Sequence, residues 1–471
     1  MATEIGVSWR RIVVLLVAVL ALGGYLYFYE VPQAKREAQK EKLVAVDKDA
    51  ISGIDLVYPD REIALAKGDK GWRLTKPVDA AADDTAVTSL LGSLAGAEVQ
   101  KTIDELPADL GPFGLDKPTV TVRLTLKSGE VPPIAVGKNT AIGGKTYVRK
   151  DDEKKVYLIT SSLGFALNKQ AKDLRDKQLL AFQDDDVSWV TIAAGDGKTT
   201  TLVRKDKDSW TVDPGDYPAD LTEVRSYLSS LRSTRAVDFP DEAPSDLAKY
   251  GLDKPTLTVT VYTGKDGKAS QALSIGKETT EGTQKQVYAK TASAPTVYAL
   301  GDWAVHSLTK DVAALRDKTV LGFDASRVGK VALARKDGAA LTMARGAAEA
   351  WSVEGAAGKA KDTMIARFLD DVHDLRGSDI AAEPPGDLAR FGLDAPDLRV
   401  ALTDRDGKAL GTVLLAKHDG KYYAMREGGP TVFEVRDYMF TRLDKRPGDL
   451  TETPATTTTT VAATTTTTTA R

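Results

Sequence analysis

The chain has 471 residues, 42% of them hydrophobic and 28% charged, an ordinary balance for globular domains and a length that suits about three of them. A net charge of -3 supplies no basic footprint, so we expect no nucleic-acid partner. The absence of cysteine excludes disulfides and thiolate metal sites, and 3 histidines leave few options for acid–base chemistry.

An apolar segment, residues 12–29, follows a short N-terminal tail, residues 1–11. As a helix it would be roughly 27 Å long, enough to cross the hydrocarbon core of a bilayer. The alternative is a cleaved signal peptide, but Glu30 and Pro32 stand where small residues would mark the cleavage site. We expect a single-pass anchor in the inner membrane with the later domains in the periplasm or outside, because long domains translocate largely regardless of charge.

A ten-residue motif, D-L-x-x-(F/Y)-G-L-D-x-P, occurs three times, with its copies 137 and 141 residues apart. A tryptophan recurs at nearly the same spacing, at Trp72, Trp210 and Trp351. Two independent markers with one period indicate a triplicated domain. The predicted organisation after the anchor is a charged stalk, three repeats and a disordered threonine-rich tail: residues 30–45, 46–182, 183–323, 324–450 and 451–471.

Each repeat opens with stretches of period-two alternation, which indicate antiparallel strands, and continues with an amphipathic helix. The apolar positions of that helix follow the i, i+3, i+4, i+7 pattern: Val87, Leu90, Leu91, Leu94; Val224, Tyr227, Leu228, Leu231; Ile365, Phe368, Leu369, Val372. Further strands and a final helix complete the repeat. The predicted fold class is α+β, with one N-terminal transmembrane helix and three tandem repeats of antiparallel strands with two main helices each.

The ten-residue motif is interpreted as structural. Its first aspartate would cap a single helical turn, and the following glycine would close the turn with positive φ. The last proline would begin a strand, where a missing N–H is harmless. The residues assigned to this structural motif are Gly114, Asp116, Pro118, Gly251, Asp253, Pro255, Gly392, Asp394 and Pro396. A ligand at the repeated aspartates is the less favoured alternative.

Three further patterns carry little chemistry. The run Gly143 to Thr146 resembles the end of a phosphate loop, but Asn139 stands where the first glycine belongs, and a hairpin is expected there. His373 lies among aspartates, yet it has no counterpart in the other repeats and suits a solvated helix face. His306 and His418 suggest no Ser–His–Asp arrangement. We therefore expect no catalytic residue, no metal and no cofactor.

The final helices of the first two repeats end in the same charged sequence, Leu-Arg-Asp-Lys. This sequence would form an ion pair within the repeat or a docking patch for another protein. Exposed ion pairs contribute little to stability, which leaves docking as the functional interpretation. The candidate docking residues are Arg175, Asp176, Lys177, Arg316, Asp317 and Lys318, and the third copy is degraded at 443–446.

The apolar N-terminal segment, the G-L-D-x-P repeats, the Val/Ile-Gly-Lys hairpins, the Val-Tyr strands and the Leu-Arg-Asp-Lys ends, in this order, resemble a bacterial family known as domain of unknown function 4340. The resemblance covers residues 46–450, and the third copy departs from it at Ala395, Ala416 and 443–446. It implies a single-pass envelope protein encoded beside transporters of the ATP-binding-cassette type, with components similar to gliding-motility auxiliary proteins. It supplies no catalytic residues.

The function expected from these features is that of a membrane-anchored, non-catalytic accessory or scaffold of an envelope complex, with protein partners that include ATP-binding-cassette transporter components. The alternative is an enzyme acting on envelope glycan or lipid, or a ligand-binding receptor. A cleft with convergent polar groups would favour the alternative, whereas an exposed apolar or charged patch would favour a binding module.

Overall fold

The computed structural model describes residues 41–103, 109–151, 153–346, 349–356 and 358–452, together with Val19 and Leu22. The predicted tail 1–11, most of the anchor and of the stalk, and nearly all of the threonine-rich segment lie outside the described residues. The chain divides into two compact units. The first comprises residues 1–179, 234–244 and 296–301, and the second comprises the rest.

The described residues form three antiparallel sheets of 9, 9 and 8 strands, one for each copy of the repeat. The first sheet has the order β4-β3-β2-β1-β6-β7-β8-β9-β5. Its strands are β1 (Ile51–Val57), β2 (Glu62–Gly68), β3 (Gly71–Lys76), β4 (Ala80–Ala81), β5 (Lys101–Ile103), β6 (Val120–Leu126), β7 (Gly129–Asn139), β8 (Lys145–Lys150) and β9 (Val156–Thr160). Consecutive strands therefore pair as hairpins, except where β1 lies beside β6 and where β9 lies beside β5.

The second sheet repeats this order from β13 to β14, and the described residues of the third sheet repeat it from the counterpart of β3, β21, to β22. The second copy supplies β10 (Val187–Ala194), β11 (Thr199–Asp206), β12 (Ser209–Asp213), β13 (Tyr217–Pro218), β14 (Asp238–Asp241), β15 (Leu257–Thr263), β16 (Ala269–Glu281), β17 (Gln284–Thr291) and β18 (Val297–Gly301). The third supplies β19 (Val328–Arg335), β20 (Ala340–Arg345), β21 (Trp351–Val353), β22 (Asp379–Ala382), β23 (Leu398–Asp404), β24 (Ala409–His418), β25 (Lys421–Arg426) and β26 (Val432–Val435).

Each copy carries one longer helix, which buries the apolar positions that its sequence predicts. These helices are α1 (Asp84–Ala95), α4 (Leu221–Ser233) and α7 (Asp362–His373). In all three, the four residues in the i, i+3, i+4, i+7 pattern are buried. In the first copy they share one hydrophobic cluster with Ile54 and Leu56 of β1 and with Val122 of β6. The helix therefore covers the apolar face of its sheet.

The predicted fold class is wrong. The described part of the chain is mostly antiparallel sheet, and none of its helices is both long and apolar enough to cross a membrane. The predicted second main helix is replaced in each copy by two short helices. These are α2 (Ser162–Leu167) with α3 (Ala171–Leu174), α5 (Trp303–Leu308) with α6 (Val312–Leu315), and α8 (Asp437–Leu443) with α9 (Pro447–Leu450).

Edge pairing ends the last short helix. Arg175, directly after α3, has extended backbone and forms a β-bridge with Ala82. The carbonyl of Leu174 accepts a hydrogen bond from the Asp83 N–H at 2.9 Å. Backbone that pairs with a neighbouring segment cannot continue a helical hydrogen-bond ladder. The periodicity of the sequence could not show this, because the competing partner lies 93 positions earlier in the chain.

The single helical turn and the positive φ expected of the ten-residue motif are present in each copy, and the following strand begins two residues after the proline. Each copy forms one 3-10 turn, at Gly111–Phe113, Ala248–Tyr250 and Leu388–Phe391, which we call the motif turn. The glycines that close the three turns, Gly114, Gly251 and Gly392, have φ values of 64°, 67° and 68°. The leading aspartates accept a hydrogen bond from the N–H two residues later at 2.9, 2.8 and 3.0 Å.

Candidate functional site

The strongest candidate site begins at a bulge in β7 of the first copy. The β7–β8 register passes from Val136 opposite Val148 to Asn139 opposite Thr146, so β7 carries one extra residue. The bulge contains Gly137 and Lys138, and we call it the Gly-Lys bulge. Bulges turn the side chain of a strand residue away from its regular direction and are common beside functional sites.

The motif turn packs directly on the Gly-Lys bulge. A Cβ on Gly137 would overlap the carbonyl oxygen of Phe113, so only glycine permits this approach. The Phe113 ring meets Tyr147 of β8 edge to face, with ring centres 4.9 Å apart. The ten-residue motif and the Val-Gly-Lys segment of β7 therefore contact each other, and this contact fixes the backbone of Lys138.

The second copy repeats this arrangement, and the third does not. A bulge at Gly276 and Lys277 follows Ile275, and a Cβ on Gly276 would overlap the Tyr250 carbonyl. In the third copy β24 and β25 pair without a register shift through Ala416 and Lys417. Without the bulge, the position that is Gly137 in the first copy and Gly276 in the second can be an alanine, Ala416, in the third.

Lys138 lines a cavity of about 430 Å³ at one end of the first sheet. Val120, Val136 and Leu167 contribute apolar surface, and Phe165 of α2 lies at the rim with 71% of its surface exposed. Lys138 is the one charged residue among those that line the cavity, and it forms no ion pair within the described part of the chain. The remaining lining residues are Tyr58, Thr119, Gly137, Asn139, Thr146, Gly164 and Asn168.

Most hydroxyl groups at the cavity are already hydrogen-bonded within the protein. Tyr58 donates to the carbonyl of Leu167 at 2.5 Å and accepts from the Lys169 N–H at 3.1 Å. Burial is the main cause that raises the pKa of Tyr58, which keeps the phenol neutral. Thr146 Oγ1 donates to Asn139 Oδ1 at 2.6 Å. Among the described lining residues, the groups left to meet a ligand are therefore the Lys138 ammonium and the side-chain amide N–H groups of Asn139 and Asn168.

The predicted docking residues lie at the junctions between copies, and the arginine of the second junction is buried. Arg316 pairs with Glu383 of the next copy, and its side chain is 10% exposed. Its guanidinium lies 3.7 Å from the centre of the Tyr217 ring. Thr431 donates to Glu383 at 3.0 Å and accepts from Arg316 at 3.3 Å. Every member of this group has a partner, as a buried charge requires.

The first junction is built in the same way. Arg175 pairs with Glu242, and its side chain is 9% exposed. Its guanidinium lies 3.9 Å from the centre of the Phe239 ring, and Thr296 donates to Glu242 at 3.2 Å. Arg175 and Arg316 therefore join successive copies and are not part of an exposed patch. Reversing their charge would disturb the junctions before it could test docking.

The other candidate docking residues have backbone roles at these junctions. Asp176 accepts from the Gln178 N–H at 2.9 Å, and Asp317 accepts from the Thr319 N–H at 3.0 Å. The carbonyls of Lys177 and Lys318 accept from the next copy, each at 2.9 Å. Asp176 is exposed, and the other three are half-buried. Docking through these four residues stays a prediction.

The third copy ends differently from the prediction. The carbonyl of Leu450 accepts from the Lys361 N–H at 2.8 Å, as Leu174 and Leu315 do in the earlier copies. Thr451 forms the corresponding bridge with Ala360 and stands where the first two copies have arginine. The counterpart of the Leu-Arg-Asp-Lys sequence is therefore at 450–453, and the predicted assignment to 443–446 is wrong. The assignment to 443–446 followed the similarity of the letters Leu-Asp-Lys-Arg, whereas the spacing of seven residues from Leu443 to Leu450 is the same as from Leu167 to Leu174.

The remaining candidates occupy ordinary surface positions. His373 is exposed, with Nδ1 3.1 Å from the carbonyl oxygen of Phe323. The described residues contain no cluster of three or more histidine or carboxylate side chains that could hold a metal. The run Gly143 to Thr146 lies in the β7–β8 hairpin, as expected. Asp116, Asp253 and Asp394 are exposed.

Sequence reasoning missed the cavity and its rim residue Phe165. The sequence feature that could have indicated the cavity is Gly164 in α2, the short helix after the Val-Tyr strand. Gly164 corresponds there to Val305 in the second copy and to Phe440 in the third. Alignment of these helices would have shown the loss of a side chain, but only the structure shows that the space opens beside Lys138.

The fold is that of a protein with three tandem copies of one unit, each a large antiparallel sheet covered by one principal helix. The chain belongs to the family described as Domain of unknown function (DUF4340), whose model matches residues 72–214, 210–383 and 351–467. The matches begin at or near the recurring tryptophans, in the third strand of each sheet. The unit of the family model is thus offset from the sheets, which begin at β1, β10 and β19.

Comparison with other known proteins adds little. No curated protein matches the chain. Among solved structures, the DNA polymerase III subunit beta from Pseudomonas aeruginosa is 8% identical with a TM-score of 0.15, covering 83% of this chain and 93% of that chain. The DNA polymerase sliding clamp from Pseudomonas aeruginosa with ligand is 8% identical with a TM-score of 0.14, covering 84% and 93%. Likeness this low carries no argument about fold or function.

Proposed function

We propose that the protein is a membrane-attached, non-catalytic accessory protein that acts outside the cytoplasm as a scaffold for an envelope complex. The observation that carries the proposal is an exposed aromatic residue on the same short helix of each copy. Phe165, Trp303 and Tyr438 are 71%, 49% and 46% exposed. Trp303 and Tyr438 occupy the same helical position, and Phe165 corresponds to a position three residues later, on the same helix face.

Recurrence separates this feature from ordinary surface variation. A single exposed apolar side chain is normal in a soluble domain. Aromatic side chains are, however, enriched at protein–protein interfaces, where they supply contact area at low entropic cost. Three related contact points on one chain raise the effective concentration of the second and third contacts, so weak individual contacts can act together. This arrangement suits a scaffold.

Attachment to the membrane through the apolar segment 12–29 belongs to the same proposal and rests on the sequence. The partner we propose is a component of an ATP-binding-cassette transporter, as the family resemblance implies. The alternative of an enzyme has no recurring set of reactive side chains to support it. The alternative of a ligand-binding receptor is favoured by the cavity beside Lys138.

Site-specific photocrosslinking tests the scaffold proposal in intact cells. A photoreactive phenylalanine analogue would replace Trp303 or Tyr438, and Ile142 would serve as the control because it is 90% exposed in a hairpin loop. We expect positions 303 and 438 to capture the same envelope protein and position 142 not to capture it. No adduct at 303 and 438, or the same adduct at 142, would contradict the proposal.

A further inference from the structure

The cavity of the first copy exists because a side chain is missing from α2. Gly164 aligns with Val305 and Phe440. The alignment is fixed by the flanking positions, since Leu163, Ala304 and Met439 are all buried, as are Leu167, Leu308 and Leu443. A Cβ on Gly164 would lie 3.7 Å from Thr146 Oγ1, an ordinary contact distance. The glycine is therefore not required for packing, and what it provides is space.

The shape and lining of this space match those of small-molecule sites. Its volume of about 430 Å³ lies within the usual range of ligand pockets, roughly 300–1,000 Å³. Val120, Val136 and Leu167 form an apolar wall, and Phe165 extends it at the rim. Such a wall accepts an aliphatic or aromatic group, since burial of apolar surface is favourable at about 25 cal/mol per Å².

The polar end of the cavity selects the charge of the ligand. Lys138 is the one charged lining residue, and it has no carboxylate partner among the described residues. Asn139 uses its carbonyl oxygen to accept from Thr146, which leaves its N–H groups as donors. An ammonium and an amide donor together suit the two acceptor oxygens of a carboxylate, because charge-assisted hydrogen bonds are the stronger kind.

We propose that this cavity binds a small carboxylate that carries an apolar group, with the carboxylate at Lys138 and Asn139 and the apolar group against Val120, Val136 and Phe165. A free aliphatic acid and the carboxyl end of a peptide with an apolar last residue share this chemistry. The site shares Phe165 with the proposed scaffold surface of the first copy, but the crosslinking test of the scaffold uses only Trp303 and Tyr438. Each proposal can fail while the other stands.

Calorimetric titration of the full chain in detergent tests the site with defined probes. Hexanoate and its neutral counterpart hexanamide represent the free acid, and acetyl-alanyl-leucine with a free or an amidated C-terminus represents a peptide end. We expect at least one free acid to bind and both amides to bind at least tenfold more weakly. Binding of hexanoate alone identifies a free acid, and binding of the dipeptide acid alone identifies a peptide end. Equal binding of acid and amide, or no binding of either acid, would overturn the proposal.

Three variants locate the binding. Gly164→Val copies the residue of the second copy, so it should fold normally while filling the cavity, and Lys138→Ala removes the cation. Both should weaken binding of the acid at least tenfold with an unchanged melting temperature. Lys277→Ala removes the lysine of the second Gly-Lys bulge and should leave binding unchanged. Undiminished binding in both Gly164→Val and Lys138→Ala would show that the acid binds elsewhere and would overturn the proposal.

Discussion

Arg316 and Glu383 form an ion pair that joins the second copy of the repeat to the third, and the arginine of this pair is buried. The Arg316 side chain is 10% exposed and that of Glu383 is 22% exposed. Nη2 of Arg316 donates to Glu383 Oε1 at 2.9 Å. The same pairing recurs between Arg175 and Glu242, at the same separation of 67 residues. The two recurring arginines, Arg175 and Arg316, therefore connect successive copies of the repeat.

Arg316→Ala should destabilise the protein by about 2 kcal/mol, because it removes a buried side chain that packs on Tyr217 and donates charge-assisted hydrogen bonds to Glu383. Guanidinium chloride denaturation measures the effect. Arg399→Ala is the matched control, since Arg399 and Glu427 form a two-pronged pair with side chains 44% and 46% exposed. The control should lose no more than about 1 kcal/mol. Equal losses for the two variants would show that burial of the junction contributes nothing.

The junction should also make stability depend on acid pH. The hydrogen bond from Arg316 is the main cause that lowers the pKa of Glu383 below its ordinary value of 4.5. A carboxyl group with a lowered folded-state pKa stabilises the protein fully above its unfolded value, and this stabilisation is lost as the pH falls through the folded value. Below pH 4.5, wild-type stability should therefore decline more steeply than that of Glu383→Gln, as measured by urea midpoints from pH 7 to pH 3. Parallel curves would contradict this linkage.

Gly251→Ala should destabilise the protein by more than Gly282→Ala. Both glycines have positive φ, 67° and 61°, which costs a residue with a Cβ about 1–2 kcal/mol. A Cβ on Gly251 would in addition lie 2.9 Å from the backbone nitrogen of Lys277, whereas nothing lies within 4 Å at Gly282. Gly251→Val should lower the free energy of unfolding by more than about 1 kcal/mol for the same reasons. Equal denaturation midpoints for Gly251→Ala and Gly282→Ala would show that close packing of Gly251 against the backbone of Lys277 does not contribute to stability.

Membrane topology is tested with reporter fusions. Alkaline phosphatase folds only outside the cytoplasm because it needs disulfides, so a fusion after Leu450 should be active if the repeats lie outside. A reporter that works only in the cytoplasm, fused at the same residue, is the control and should be silent. The reverse result would contradict the proposed location of the repeats.

The sequence by itself determined the local elements and their recurrence. The helix pattern at Val87, Leu90, Leu91 and Leu94 predicts the face that is buried, because side chains three and four positions apart share one side of a helix. The glycine of the motif turn predicts positive φ, because that conformation is sterically unfavourable for residues with a Cβ. These features depend on residues close together in the chain, and both predictions are confirmed.

Only the tertiary structure decided what depends on distant parts of the chain. The helix ahead of Arg175 ends early because residue 175 pairs with Ala82. Arg316 is buried because Glu383, Tyr217 and Thr431 converge on it, and none of them is a sequence neighbour. The space left by Gly164 has a lysine beside it because β7 brings Lys138 to the same end of the sheet. A sequence pattern carries the periodicity of one element, whereas burial and charge pairing are set by which elements meet.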